Sequence, residues 1–135
     1  MLAALIASSA TAIFAAIFIA EATVASDEAI HSLIPKSVTT PIAMGISEQL
    51  GGLPSLTTGL VVLTGILGAI IITPIMNYLG FRGHARGFAV GVTSHGIGTA
   101  RDFQVHEVDG VFAAVAMALN GLVTAFVVAL FSQLL

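Results

Sequence analysis

Three long apolar stretches, residues 2–25, 53–78 and 110–135, set the rhythm of this chain. Each exceeds the roughly 20 residues that a helix needs to cross about 30 Å of hydrocarbon. They predict three transmembrane helices. Between them lie two elements whose apolar pattern is interrupted by proline, glycine and hydroxyl side chains.

The first interrupted element opens at Ser26-Asp27-Glu28, a capping serine followed by acids that suit a helix N-terminus. A short helix over 27–34 is expected to stop at Pro35, which disfavours the α region for Ile34. Pro35 and Pro41 bracket Lys36-Ser37-Val38-Thr39-Thr40, and these five residues are predicted to be extended. Pro41 suits the first turn of a new helix capped by Thr39 or Thr40, running through Leu50 and stopping at Gly51-Gly52. That helix reaches only about 15 Å, half a membrane span. The pattern does not decide whether the element crosses the membrane or re-enters the side it came from.

The second interrupted element, residues 87–100, carries glycine at 87, 91, 96 and 98, which weakens a helix and permits close backbone approach. Val38-Thr39-Thr40 has a counterpart here in Val92-Thr93-Ser94, so the two elements form a weak internal repeat. Paired broken helices of this kind mark the binding sites of many transporters. Pro35, Pro41, Gly96 and Gly98 are the expected breaks. The predicted fold is an all-α polytopic membrane protein with about three full spans and two broken or re-entrant helices.

Within the spans, Glu21 falls near the end of the first, where a carboxylate reaches the interface. Gly59, Thr64, Gly65 and Gly68 thin one side of the second, and Pro74 is expected to kink its end. Gly110, Ala114 and Ala118 recur every four residues in the third and predict a packing seam. Asn120 reads as a hydrogen-bonding tie between helices. Residues 79–86 and 101–109 are expected to be polar connectors. Arg82 and Arg86 in the first of these favour a cytoplasmic location for it.

Composition sharpens the assignment. The 135 residues are 57% hydrophobic and 8% charged, too little charge to cover a water-facing surface. The formal charge of −3, from four Lys and Arg against seven Asp and Glu, offers no basic patch for nucleic acid. There is no cysteine, hence no disulfide and no thiolate chemistry. The first span lacks the basic start of a signal peptide and exceeds its core length.

Enzyme signatures are weak. Ser94 and His95 are adjacent and do not face one another on a helix, and Val92 occupies the first glycine position of a nucleophile elbow. The four histidines show no metal-ligand spacing. Neither a metal nor another cofactor is expected. Binding fits better: hydroxyl-flanked half-helix N-termini attract carboxylates or phosphates. The candidate site for a small anion comprises Ser37, Thr39, Thr40, Thr93, Ser94, His95, Thr99 and Arg101. Thr39, Thr40, Thr93, Ser94 and His95 are expected to converge, with a proton or Na⁺ as coupling ion. The alternative is that these hydroxyls only satisfy backbone groups freed by the breaks.

The strings PKSVTTPIA (35–43), QLGGLPSLT (49–57), LTGILGA (63–69), ARGFAVGVTSHGIGTAR (85–101) and MALNGLVTA (117–125) resemble the LrgB/CidB family. That resemblance implies a multi-pass protein of the bacterial cytoplasmic (inner) membrane. Members are described as antiholin-like modulators of murein hydrolase activity and lysis, acting with a small LrgA/CidA-type membrane partner. They are also similar to the LrgB-like half of the plastid glycolate/glycerate translocator, which implies carriage of pyruvate or related monocarboxylates. The two implied functions are part of a monocarboxylate transporter, and a non-transporting regulator or pore component that acts through its partner or self-association. The chain departs from the family in two ways. It reads as one LrgB-like transmembrane domain, 1–135, without the family's further N-terminal spans, and Asp102-Phe103 stand where small or apolar residues are usual.

Overall fold

The computed structural model describes residues 2–23 and 25–131. Val24 and residues 132–135, which the expected spans included, lie outside them. Among the described residues the chain forms six helices: α1 (Leu2–Ala22), α2 (Asp27–Leu33), α3 (Thr40–Leu50), α4 (Pro54–Tyr78), α5 (His84–Val105) and α6 (Glu107–Phe131). The fold is that of an all-helical membrane protein. α1, α4 and α6 each contain a helix long and apolar enough to cross a membrane. Phe14, Phe18, Ile70, Leu122 and Phe126 on these helices are exposed, as lipid-facing side chains are.

The first interruption departs from its expected form. Ser26 does cap α2, accepting from the Ala29 N–H at 3.4 Å. Ile34, however, stays in the α region (φ −49°, ψ −51°) despite the proline that follows. Its side chain is buried against Ile13, Ile46 and Val128, and such burial is worth about 1.5–3 kcal/mol. Nor are residues 36–38 extended: the Lys36 and Val38 amides donate to the Leu33 and Pro35 carbonyls at 3.1 and 3.2 Å. Away from water these amides need internal acceptors, and tight turns supply them. α3 then begins at Thr40 with Pro41 in its first turn, although the Thr39 side chain makes no capping bond. It ends at left-handed Gly51 (φ 81°).

The second interruption lies inside α5. His95 has φ 36° and ψ −130°, and the backbone on either side is helical. The result is a hairpin. Arg86 and Asp102 would stand about 24 Å apart on a straight helix, yet Arg86 Nε lies 3.1 Å from Asp102 Oδ1. A Cβ on Gly98 would come within 2.9 Å of Val90 Cγ1, so the two legs touch near the bend.

α6 serves as a ruler for both broken elements. Its span from Asp109 to Val128 is about 28 Å, close to the hydrocarbon thickness. The base of the α5 hairpin packs at its start, where a Cβ on Gly87 would strike the Asp109 carbonyl. The bend reaches Met117, whose sulfur is 4.0 Å from where a Gly96 Cβ would be. The α2–α3 element comes from the opposite end. Ile34 and Ile46 pack against Val128, while Ile42 reaches Gly121 and the Ser37 carbonyl accepts from Asn120 Nδ2 at 2.9 Å. After α3 the chain is back beside Ser32, whose hydroxyl accepts from the Leu53 N–H at 2.8 Å. Both broken elements therefore double back, from opposite ends of α6, and their tips meet near its middle.

Other expectations are corrected here. Arg86 is buried in the first turn of α5 rather than carried by a loop, so Arg82 alone of the two remains as the basis for a cytoplasmic connector. The expected 101–109 connector is helical through Val105, and His106 alone separates it from α6. The seam on α6 is also displaced. Gly110 is buried, but Ala118 is exposed, and the buried row runs Asp109, Ala113, Ala116, Asn120, Thr124, Val128. Gly87 and Gly91 of α5 set that register, because a Cβ at either would strike the Asp109 or Ala113 carbonyl. Asn120 ties helices as expected: Ser9 Oγ donates to its Oδ1 at 2.7 Å and its Nδ2 holds the α2–α3 turn.

Candidate functional site

The two tips leave a hollow of about 320 Å³ between them, lined by Thr39, Thr40, Pro41, Val61, Val62, His95, Gly96 and Ile97. Thr39 and Thr40 bring the N-terminus of α3 to this hollow. Gly96 and Ile97 bring the start of the second leg of α5. Each leg that begins here presents the positive end of its dipole and N–H groups without partners in the preceding turn. The chain thus sets two half-helix N-termini against one apolar-walled space.

His95 forms the floor. It is 4% exposed and its Nε2 has no hydrogen-bond partner among the described residues. The ring also meets the backbone of Val61. Gly65 on α4 makes room for it, since a Cβ there would lie 2.6 Å from His95 Cε1. A positive φ on a non-glycine residue costs about 1–3 kcal/mol and persists only where its surroundings hold it. Here the Thr99 hydroxyl donates to the His95 carbonyl at 2.6 Å and pins the bend. An unpaired imidazole nitrogen beside two helix N-termini can donate to, or accept from, a small polar ligand.

The predicted site residues divide into three groups. Thr39, Thr40 and His95 come together as expected. Ser94 and Thr99 lie directly behind them: Ser94 is buried against Gly68 and Gly98, and Thr99 buttresses the bend. Ser37, Thr93 and Arg101 do not join. The Ser37 carbonyl is taken by Asn120. Thr93 is exposed, donates to its own helix at Ala89 (2.7 Å), and lines a separate hollow with Thr64 and Leu67. Arg101 is exposed and bonded to Gln104 at 3.2 Å. It lines a neighbouring groove along α4 that shares only Ile97 with the hollow. The expected five-residue convergence thus reduces to three residues plus supports.

Sequence reading missed two polar clusters. Ser32, Ser47 and Thr57 are fully buried and join α2, α3 and α4, with Thr57 Oγ1 2.7 Å from Ser47 Oγ. Arg86, Asp102 and Asp109 close the base of the α5 hairpin. In a chain so poor in charge, an Arg and two Asp flanking a glycine-rich apolar segment were the available signal for the second cluster.

Comparison with known proteins places this arrangement. The model of the LrgB-like family matches residues 1–134. An uncharacterized Bacillus subtilis protein, YwbG, is 42% identical over 96 residues, covering 70% of this chain and 43% of its own length. The holin-like protein CidB of Staphylococcus epidermidis is 29% identical over 104 residues, 76% of this chain and 45% of its own. The antiholin-like protein LrgB of Bacillus cereus is 28% identical over 135 residues, 97% of this chain and 57% of its own. The chain spans about half the length of these relatives. No solved structure matches it.

Proposed function

The chain belongs to the LrgB-like family, and we propose that it forms the substrate-binding part of a multi-pass transporter for small monocarboxylates in a bacterial cytoplasmic membrane. The observation that carries this reading is the pair of opposed broken-helix tips around a hollow that Thr39, Thr40 and His95 line together. Transporters built from broken helices bind anions against half-helix N-termini at the midplane, where the positive dipole ends replace water. A volume of about 320 Å³ suits a ligand of a few heavy atoms, such as pyruvate or glycolate. The hydroxyls of Thr39 and Thr40 and the His95 nitrogen supply donors around a carboxylate, and Val61 and Val62 supply an apolar wall for the rest.

Two relatives favour a second reading, since they are called holin-like and antiholin-like. On that reading the chain regulates lysis and murein hydrolase activity through an LrgA/CidA-type membrane protein, without carrying solute. Uptake of labelled pyruvate and glycolate into proteoliposomes, with and without such a partner, separates the two. Saturable, competable uptake that His95→Ala abolishes supports the carrier. Dye leakage without saturation, or no flux, overturns it and leaves the regulator.

A further inference from the structure

The base of the α5 hairpin holds an unbalanced charge. Arg86 Nε is shared between Asp102 Oδ1 at 3.1 Å and Asp109 Oδ2 at 3.3 Å, and all three side chains are almost completely buried. The remaining guanidinium nitrogens turn to α4, Nη1 donating to Asn77 Oδ1 at 2.8 Å and Nη2 reaching Thr73 Oγ1 at 3.5 Å. One guanidinium therefore faces two carboxylates. The second oxygen of Asp102, Oδ2, is buried with no hydrogen-bond partner among the described residues. An ionised carboxylate presenting a bare oxygen to a water-free interior is strongly disfavoured, whereas a neutral acid carries its proton there.

We infer that Asp102 binds a proton, so that the base of the α5 hairpin is a proton-binding site. The pair then carries one negative charge, which Arg86 matches. Burial and the neighbouring Asp109 carboxylate both disfavour a charge on Asp102. Other charged groups nearby do not remove the excess: Arg82, which lines a hollow with Arg86 and Asp109, is exposed, so water screens its charge. Arg101 on the second leg acts on Asp102 only through space and is itself exposed. His106, 3.8 Å from Asp109 Oδ1, has its side chain 65% exposed, and α4 contributes only neutral Asn77 and Thr73. A metal ion fits poorly, because among the described residues no group of three or more acids or histidines could hold one. A hollow of about 400 Å³ comes as far as Arg86 and Asp109, with Arg82 and His106 also lining it.

The placement gives the proton a consequence. Arg86 sits on one leg of the hairpin, Asp102 on the other and Asp109 on α6, so gain or loss of the proton changes the grip that holds the legs together. The bend at His95 lies at the far end of those legs. This site stands on its own geometry, whether or not the chain carries solute.

Infrared spectroscopy of the full chain in lipid nanodiscs tests it. At neutral pH the wild type should show the carbonyl stretch of a protonated, water-excluded carboxylic acid. Carbon-13 labelling of aspartate, but not of glutamate, should shift that band. Asp102→Asn should abolish it, while Asp27→Asn on the exposed start of α2 should leave it unchanged. Absence of the band from the wild type overturns the proposal, as does its survival in Asp102→Asn. Loss of the band on adding Na⁺ at constant pH would identify a metal-cation site instead. The labelling measurement needs no substitution, so the test stands even where a variant fails to fold.

Discussion

The imidazole of His95 stands directly over Gly65, at a separation that leaves no room for a Cβ on α4. Replacing Gly65 by Ala must therefore move the ring or the helix. Overpacking of this kind costs about 1–3 kcal/mol. Gly65→Ala should lower the thermal denaturation midpoint in detergent and reduce monocarboxylate uptake. Gly59→Ala, on the same helix with nothing within 4 Å, should stabilise by about 0.5–1 kcal/mol. Equal effects at the two positions would show that His95 does not depend on the Gly65 gap.

The backbone at His95 gives an opposite pair of effects. Glycine adopts φ 36° without penalty, so His95→Gly should relieve about 1–3 kcal/mol of strain. Loss of the buried ring offsets part of that gain. The expected outcome is a variant whose unfolding midpoint is no lower than the wild type's but whose uptake is abolished. A clearly destabilised His95→Gly would mean that the ring holds the bend, rather than being carried by it.

Asn120 predicts a contrast with Thr93. Asn120→Ala leaves Ser9 and the Ser37 carbonyl without their partner between α1, α6 and the α2–α3 turn. Stranded buried groups cost about 1–3 kcal/mol each. Thr93→Ala removes bonds to its own helix turn and a 3.3 Å contact with the Ser94 hydroxyl, and should stay within about 0.5 kcal/mol of wild type. Denaturation midpoints measured side by side decide the matter. Uptake serves as a second check, since Thr93 lies outside the hollow and its loss should not change the apparent KM.

The α5–α6 seam can be probed at small residues. Gly91→Ala places a methyl group against the Ala113 carbonyl and should destabilise by about 1–3 kcal/mol or prevent folding. Ala118→Leu, on the exposed side of α6, should be tolerated, while Ala113→Leu should not. Tolerance of both leucines would overturn the register set by Gly87 and Gly91.

Arg86 should be the least replaceable cation. Removing one member of a buried ion cluster costs about 3–5 kcal/mol, because the partner charges remain. Arg86→Gln is expected to fail to fold, and Arg86→Gln with Asp109→Asn to recover part of the loss. Arg101→Gln should be near neutral, its guanidinium being exposed. No recovery in the double variant, by yield of monodisperse protein, would argue against direct pairing.

The membrane assignment and the spans were legible in sequence, because lipid makes backbone satisfaction and side-chain polarity nearly local questions. Any run of about 20 apolar residues without charge has one economical structure there. The same locality exposed the breaks: Pro35, Pro41 and Gly51 interrupt helices by what they do to their own backbone, and α3 begins and ends within a residue of where they place it. Asn120 was legible as a tie for a related reason, since an amide inside an apolar span must find a partner.

Tertiary structure alone decided which of these pieces meet. Ile34 keeps a helical backbone before proline because three distant side chains bury it, a term that its neighbours in sequence do not contain. Arg86 meets Asp102 only because the torsion at His95 folds a helix back on itself, and glycine density marks where such a bend is permitted without saying where it falls. Thr93 and Arg101 were drawn into the candidate site by sequence proximity to His95, yet helix rotation turns both away from it. Local chemistry determined that the elements exist and where they break. Direction, register and partnership came from packing among residues far apart in the chain, where one rotation of a helix changes every neighbour at once.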